Sequence, residues 1–345
     1  MGKLFKLDHQ SSKSKARTGR IFTSHGIIKT PAFVPVATKG SIKALSPNFI
    51  KDIGLQVAFV NTYHLVTHPG VDVIAKAGGI HKYANLDIPL MSDSGGFQVF
   101  SLARKNKLEI LNPKFQTNSK FKNLNSKQGK IAFASSLKHQ QAKIKIFQTD
   151  EREDVKPLVV KISDDGVRFR SVFDGEMVEF TPEKSMKYQM KIGADIVMAF
   201  DECTYYPSTH DYAEKAMERT HEWLIRCIDD KYKSEIRNPK FQTNPKSKTL
   251  NAKSLGFRAF LYGIVQGGIY KDLRKKSAEF VISQDIDGVA IGGVSVGETK
   301  KEMRDQVRWV SDYLPQDRPV HLLGIGQIDD IFDLVKYGID TFDCV

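Results

Sequence analysis

The residues with chemical potential stand where short apolar runs stop. Ser92-Asp93-Ser94-Gly95-Gly96-Phe97-Gln98 follows one run, Asp201-Glu202 a second, Gln266-Gly267-Gly268 a third, Gly292-Gly293 a fourth and Asp343 a fifth. Four carboxylates, an amide and three glycine pairs thus meet on one rim if those runs are neighbouring strands. A planar heterocycle with N–H and amino donors on one edge and a carbonyl on another suits such a set: carboxylates accept, amides and backbone N–H groups donate, and an aromatic face stacks. Guanine is such a ring. Asp93 and Asp201 are the candidate acceptors, and Gln266 with the backbone N–H of Gly293 the candidate donors to the carbonyl oxygen. Glycine at that point lets the backbone approach without a Cβ in the way. Phe97 offers a ring for stacking, or serves only as packing. The surplus carboxylate adds a second chemistry, because two carboxyl groups across a sugar–base bond can divide the roles of nucleophile and acid/base. Singly, each aspartate also reads as a helix cap or an ion-pair partner.

Eight apolar runs are candidates to carry these residues: Pro31–Val36, Val57–Asn61, Ile88–Met91, Asp195–Phe200, Phe260–Val265, Gly288–Ile291, His321–Gly324 and Ile339–Phe342. Helical patterns separate them, which predicts βαβ units, and a count of eight favours a closed (β/α)8 TIM barrel over an open doubly wound sheet. A barrel gathers its chemistry at the C-terminal ends of its strands, where the polar endings fall. Thr181-Pro182 reads as the N-cap and first-turn proline of a helix over Glu183–Lys191. Asp174-Gly175 reads as the turn of a β-hairpin between Val167–Phe173 and Glu176–Phe180, lengthening the third βα connection.

The chain has 345 residues, 41% hydrophobic and 27% charged, the make-up of a globular protein with a large core and not of a disordered chain. One barrel domain is expected over 1–345, after an N-terminal extension, with insertions at about 104–156 and 231–258. Asn112–Lys127 and Asn238–Lys253 are identical at 12 of 16 positions, both in Lys/Asn/Gln/Ser-rich stretches without apolar periodicity. The formal net charge of +12 sits there: the first insertion carries 13 basic and 5 acidic residues, the second 8 and 1, leaving the barrel proper at −3. The excess is therefore at most a salt-sensitive attraction to phosphate and does not itself identify a nucleic-acid partner. No window reaches the roughly 18 apolar residues of a membrane span, and Met1–Lys13 lacks a signal-peptide core, so a cytoplasmic protein without a membrane partner is expected. Cys203, Cys227 and Cys344 are too scattered for a disulfide framework, and none belongs to a Cys-x-x-Cys pair.

Taken in order, Ser92–Val99, Asp195–Thr204, Gly263-Ile264-Val265-Gln266-Gly267-Gly268, Gly292–Glu298 and Phe342-Asp343-Cys344-Val345 resemble the tRNA-guanine transglycosylases, or queuine tRNA-ribosyltransferases. The resemblance covers nearly everything outside the insertions, including Lys15–Gly19 and Asn61-Thr62-Tyr63-His64-Leu65. It implies a (β/α)8 barrel that exchanges the wobble guanine (position 34) of tRNAs with GUN anticodons for a 7-deazaguanine base in queuosine biosynthesis. It implies Asp343 as the nucleophile toward ribose C1′ and Asp93 as the general acid/base. It implies base recognition by Asp93, Ser94, Gly95, Gly96, Phe97, Asp201, Gln266, Gly293 and Val296, with Phe97 where the family often has a stacking tyrosine. It implies tRNA contact along Gly324, Ile325, Gly326, Gln327, Ile328, Asp329 and Asp330, and subunits that pair so that one catalyses while the other helps hold the tRNA. Val296 and Cys203 resemble the bacterial form, in which a side chain at 296 favours the smaller 7-aminomethyl-7-deazaguanine.

The sequence also departs from the family pattern. After Asp343-Cys344-Val345 the family continues with an arginine-containing loop, the last barrel helix and a structural Zn2+ site of three cysteines and a histidine, none of it in this sequence. A fragment or a truncated gene is therefore expected, without assignable zinc ligands and with apolar surface open on the first and seventh barrel helices. Two other functional readings remain: a non-catalytic tRNA-binding accessory subunit of the same family, which has no chemical need for Asp93 or Asp343, and an archaeal-type enzyme acting elsewhere on tRNA, which would carry appended RNA-binding domains.

Overall fold

The computed structural model describes residues 4–98, 159–171, 175–237 and 259–344. Most of both expected insertions, the Asp174 end of the hairpin turn and Val345 lie outside the described residues. Three antiparallel strands come first, β1 (Phe5–Gln10), β2 (Arg17–Thr23) and β3 (Gly26–Thr30), giving the N-terminal extension a sheet of its own.

The eight predicted runs then appear as eight short parallel strands: β4 (Ala32–Pro35), β5 (Ala58–Val60), β6 (Leu90–Ser92), β10 (Ile196–Met198), β11 (Phe260–Val265), β12 (Gly288–Ile291), β13 (Val320–Leu322) and β14 (Thr341–Cys344). They pair in the order β4-β14-β13-β12-β11-β10-β6-β5, and a parallel bridge between Val36 and Phe59 joins the two ends. The sheet is therefore a (β/α)8 TIM barrel. Strands covered on both faces need no polar alternation, and β5, β6 and β10 to β13 are buried throughout, which is why they read as continuous apolar runs. Asp343 differs from the expected position just past a strand. β14 runs on to Cys344 because Asp343 and Cys344 pair with Val34 and Pro35.

The N-terminal sheet closes one end of this barrel. Leu4, Phe5, Ile21 and Ile28 share one buried cluster with Val34, Phe59, Met91, Ile196, Tyr262 and Ala290 from the strands. Arg17 anchors the sheet to the segments before β13 and β14, where its guanidinium donates to both oxygens of buried Asp340 and to the carbonyls of Pro315 and Arg318. The predicted hairpin is present as β8 (Gly166–Arg170) and β9 (Met177–Phe180), with β7 (Val159–Ser163) as a third strand.

Helices cover the outside: α1 (Pro47–Asp52), α2 (Thr62–Thr67), α3 (Val71–Lys76), α4 (Ile80–Ala84), α5 (Pro182–Ile192), α6 (His210–Arg237), α7 (Lys271–Ser283), α8 (Lys300–Val310) and α9 (Ile328–Val335). The Thr181 side chain caps α5 by accepting from the Lys184 N–H, as its sequence predicts. Helix α6 corrects the second insertion's start. Lys231–Arg237 extend the helix, and Lys231 is buried against Asp287, so composition alone placed its boundary too early. Large apolar side chains are exposed on two helices, Phe49 on α1 and, on α9, Ile328 and Phe332 at 72% and 78%. Among the described residues no helix is long and apolar enough to cross a membrane.

Candidate active site

One cavity of about 110 Å3 opens at the C-terminal ends of the barrel strands, lined by Asp93, Ser94, Phe97, Asp201, Gln266, Gly293, Val296, Gly324 and Asp343 among others. The barrel thus brings together residues from seven strands, β5, β6 and β10 to β14. Gly95 and Gly96 stand behind this lining. A Cβ on Gly96 would lie 2.6 Å from the Asp201 carbonyl, so glycine lets the β6 loop press against the end of β10.

Asp93 sits in a nest of donors. Asn61 Nδ2 (2.7 Å), the Thr62 N–H (2.6 Å) and Gln98 Nε2 (2.7 Å) all donate to its carboxylate. Burial nevertheless outweighs them and pushes Asp93 up to about 6. Burial also raises Asp201 to about 6; Ser94 Oγ and Gln266 Nε2 hydrogen bonds pull it down, and the charges of Asp93 and Glu202 push it up. Ser94 Oγ and Gln266 Nε2 reach Asp201 at 2.9 and 2.8 Å. Two predicted base readers therefore satisfy each other. A ring offering N–H groups to Asp201 would compete for that oxygen, and Gln266 Nε2 would then be available to a ring carbonyl. The Oε1 of Gln266 is buried with no hydrogen-bond partner.

Arg274 is a site residue that the strand-end pattern misses, because it lies inside α7. It is fully buried, and burial lowers its pKa to about 10. Its guanidinium donates to the carbonyls of Gly268 (2.7 Å), Gly292 (2.6 Å) and Gly293 (2.7 Å) and to Gln306 Oε1 (2.6 Å). With the Gly292 carbonyl so held, a trans peptide turns the Gly293 N–H the opposite way, where it bonds Cys203 on the pocket wall. Gly293 has φ +62°, and a Cβ there would lie 2.3 Å from Gln266 Oε1, so only glycine fits. Glu298 receives the N–H groups of Ser295 and Val296, fixing the turn that presents Val296.

Asp343 is 5% exposed and accepts from His321 Nε2 (3.2 Å) and the Gly324 N–H (3.0 Å) through Oδ1. Asn61, Thr62, Gln98 and His321 thus join Arg274 as partners to which the sequence reading gave no individual role. Asn61 and Gln98 had a visible signal, since each ends or follows an apolar run. The segment Gly324–Asp330 is only partly available to a macromolecule. Ile325 and Asp330 are buried, Asp330 in ion pairs with Lys300 and Arg304, whereas Gln327, Ile328 and Asp329 are exposed.

The family's Cys/His zinc set does not fit the residues described: Cys203 lines the pocket, Cys227 is buried in α6, and Cys344 ends β14. The closest metal-like grouping among the described residues is His25, His81 and Asp195. Its imidazoles are stacked 3.5 Å apart and each places a nitrogen on the Asp195 carboxylate, so the three side chains already satisfy one another as an ion-pair network.

These carboxylates separate activity from stability in pH. If Asp93 and Asp201 act in their ionised forms, turnover is expected to fall as pH drops through about 6. Their raised pKa values mean that the folded state binds protons more tightly than the unfolded one, so the same drop stabilises the fold. Asp195 has the opposite sign: burial would raise it, but His25 and His81 hold it at about 2, and its contribution is lost only as pH falls from about 4 toward 2. Rate and melting temperature followed together across pH test this. A melting temperature that falls in step with activity near pH 6 counts against it.

The comparisons agree with this geometry. The profile of the queuine tRNA-ribosyltransferase family matches residues 11–138 and 146–345. A queuine tRNA-ribosyltransferase of Roseiflexus sp. (strain RS-1) is 40% identical over 342 residues, 99% of this chain and 74% of that protein. One from Protochlamydia amoebophila is 39% identical over 98% of this chain and 73% of its own length, and a putative one from Archaeoglobus fulgidus is 38% identical over 99% and 72%. A barrel with these strand-end residues, matched along nearly its whole length, places the chain in the queuine tRNA-ribosyltransferase family of transferases.

Proposed function

We propose that this chain is a tRNA-guanine transglycosylase that replaces the wobble guanine (position 34) of GUN-anticodon tRNAs with 7-aminomethyl-7-deazaguanine in queuosine biosynthesis. The supporting observation is that two carboxylates, Asp93 and Asp343, line one pocket with the base-reading set Asp201, Gln266 and Gly293. The reaction is a double displacement. Asp343 attacks ribose C1′ of the flipped nucleotide, the C1′–N9 bond breaks, and its electron pair leaves with guanine, which takes up a proton from solvent water. Asp93 then removes the N9 proton of the incoming base. The freed pair attacks C1′, and the bonding pair of the C1′–Asp343 ester returns to the carboxylate. Exposed Gln327, Ile328 and Asp329, at the start of α9, are the part of this segment offered to tRNA, and a second subunit helps to hold it.

The test is incorporation of labelled guanine into tRNA bearing a wobble guanosine by the purified chain. Tight tRNA binding without incorporation or adduct would support the accessory-subunit reading instead. Val296 sets the base preference by bulk, since it lines the pocket while its N–H is tied to Glu298. Val296→Gly keeps that backbone bond and is expected to raise queuine incorporation relative to the 7-aminomethyl base by roughly tenfold, the usual worth of a few pocket carbons. An unchanged ratio removes the steric argument.

A further inference from the structure

Strands β13 and β14 run parallel with His321 opposite Thr341, and both imidazole nitrogens of His321 are engaged. Nδ1 lies 2.9 Å from Thr341 Oγ1 and Nε2 lies 3.2 Å from Asp343 Oδ1. The ring is fully buried, stacked on Phe59 at 5.7 Å. The Gly324 N–H reaches the same Oδ1, and no described residue hydrogen-bonds Oδ2.

We infer that His321 is a positioning residue that, with the Gly324 N–H, anchors Oδ1 of Asp343 and so makes Oδ2 the attacking atom. The inference rests on the reading of Asp343 as nucleophile. An ionised carboxylate only accepts, so Nε2 carries the imidazole hydrogen and Nδ1 is the acceptor. The Thr341 hydroxyl donates to Nδ1 and thereby fixes that tautomer. A carboxylate held by one donor still turns about its Cβ–Cγ bond. Two donors on one oxygen, from β13 and from the loop after it, hold its plane and leave the Oδ2 lone pairs facing ribose, the orientation that attack requires.

The same bonds act in the second half-reaction. Once Oδ2 is esterified to C1′, Oδ1 is the ester carbonyl oxygen. When the incoming nitrogen displaces the ester, the C1′–Oδ2 pair returns to the carboxylate and part of that charge falls on Oδ1, where two donors already stand.

The experiment compares the full chain with His321→Phe, His321→Gln and Thr341→Val, measuring guanine exchange, single-turnover adduct formation and KM for tRNA. His321→Phe keeps a buried ring but removes the donor and is expected to lower kcat and the adduct rate about 100-fold, the cost of one preorganised donor, with KM nearly unchanged. His321→Gln restores an N–H donor and recovers most of that loss, while Thr341→Val frees the tautomer and costs about tenfold. Near-normal rates in His321→Phe overturn the inference, as does no recovery in a folded His321→Gln or an effect confined to KM. An inactive wild type overturns the parent reading along with it, whereas an active wild type with an indifferent His321→Phe overturns this inference alone.

Discussion

Asp343→Asn is expected to abolish the denaturation-resistant tRNA adduct and to lower guanine exchange by about 10^4-fold or more, the scale of removing a covalent nucleophile. The amide fits the site. Its oxygen accepts from His321 Nε2 and the Gly324 N–H as Oδ1 does now, because its NH2 group facing those two donors would be repelled. That choice puts the amide nitrogen where Oδ2 stands, and its lone pair, delocalised into the carbonyl, does not attack carbon. The pocket shape and the base-reading groups on β6, β10, β11 and β12 are untouched, so binding of free base is expected to change only a few-fold. Adduct formation is read on a denaturing gel and base binding by calorimetry. A persistent adduct would show that another group is the nucleophile.

Asp93→Asn is expected to fail differently. Exchange falls by about 10^2- to 10^4-fold, the usual worth of a general acid/base, yet the adduct still forms because Asp343 is intact. The displacement by incoming base then stalls, and the adduct accumulates. The environment adds to the loss. Asn61, Thr62 and Gln98 all donate to the Asp93 carboxylate, and an asparagine has one oxygen to offer them, so its NH2 group meets a donor without an acceptor. Single-turnover adduct formation followed by a chase with labelled base separates the halves. Exchange within tenfold of wild type, or no adduct at all, counts against the assignment of Asp93.

Local sequence carried the scaffold because a strand buried on both faces must be apolar along its length. Phe260–Val265 and Gly288–Ile291 match β11 and β12 residue for residue. Where partners override local pattern the reading slipped. β14 extends through Asp343 and Cys344 because β4 pairs with them, and α6 extends through Lys231–Arg237 although composition there matches an insertion. The sheet of β1 to β3 left little trace of its role, since its task is to cap the barrel interior through Leu4, Phe5, Ile21 and Ile28.

By itself the sequence determined the barrel's strands, the polar residues at their C-terminal ends and the family to which those motifs belong. All are properties of residues adjacent in the chain. Only the tertiary structure decided that Asp201 and Gln266 hold each other, that Arg274 pins three loop carbonyls from inside α7, and that Asp343 is anchored through Oδ1 by partners 19 and 22 residues away. Burial and hydrogen bonding from distant chain segments set which oxygen is free and where Asp93 titrates, and neither is written in a short stretch of residues.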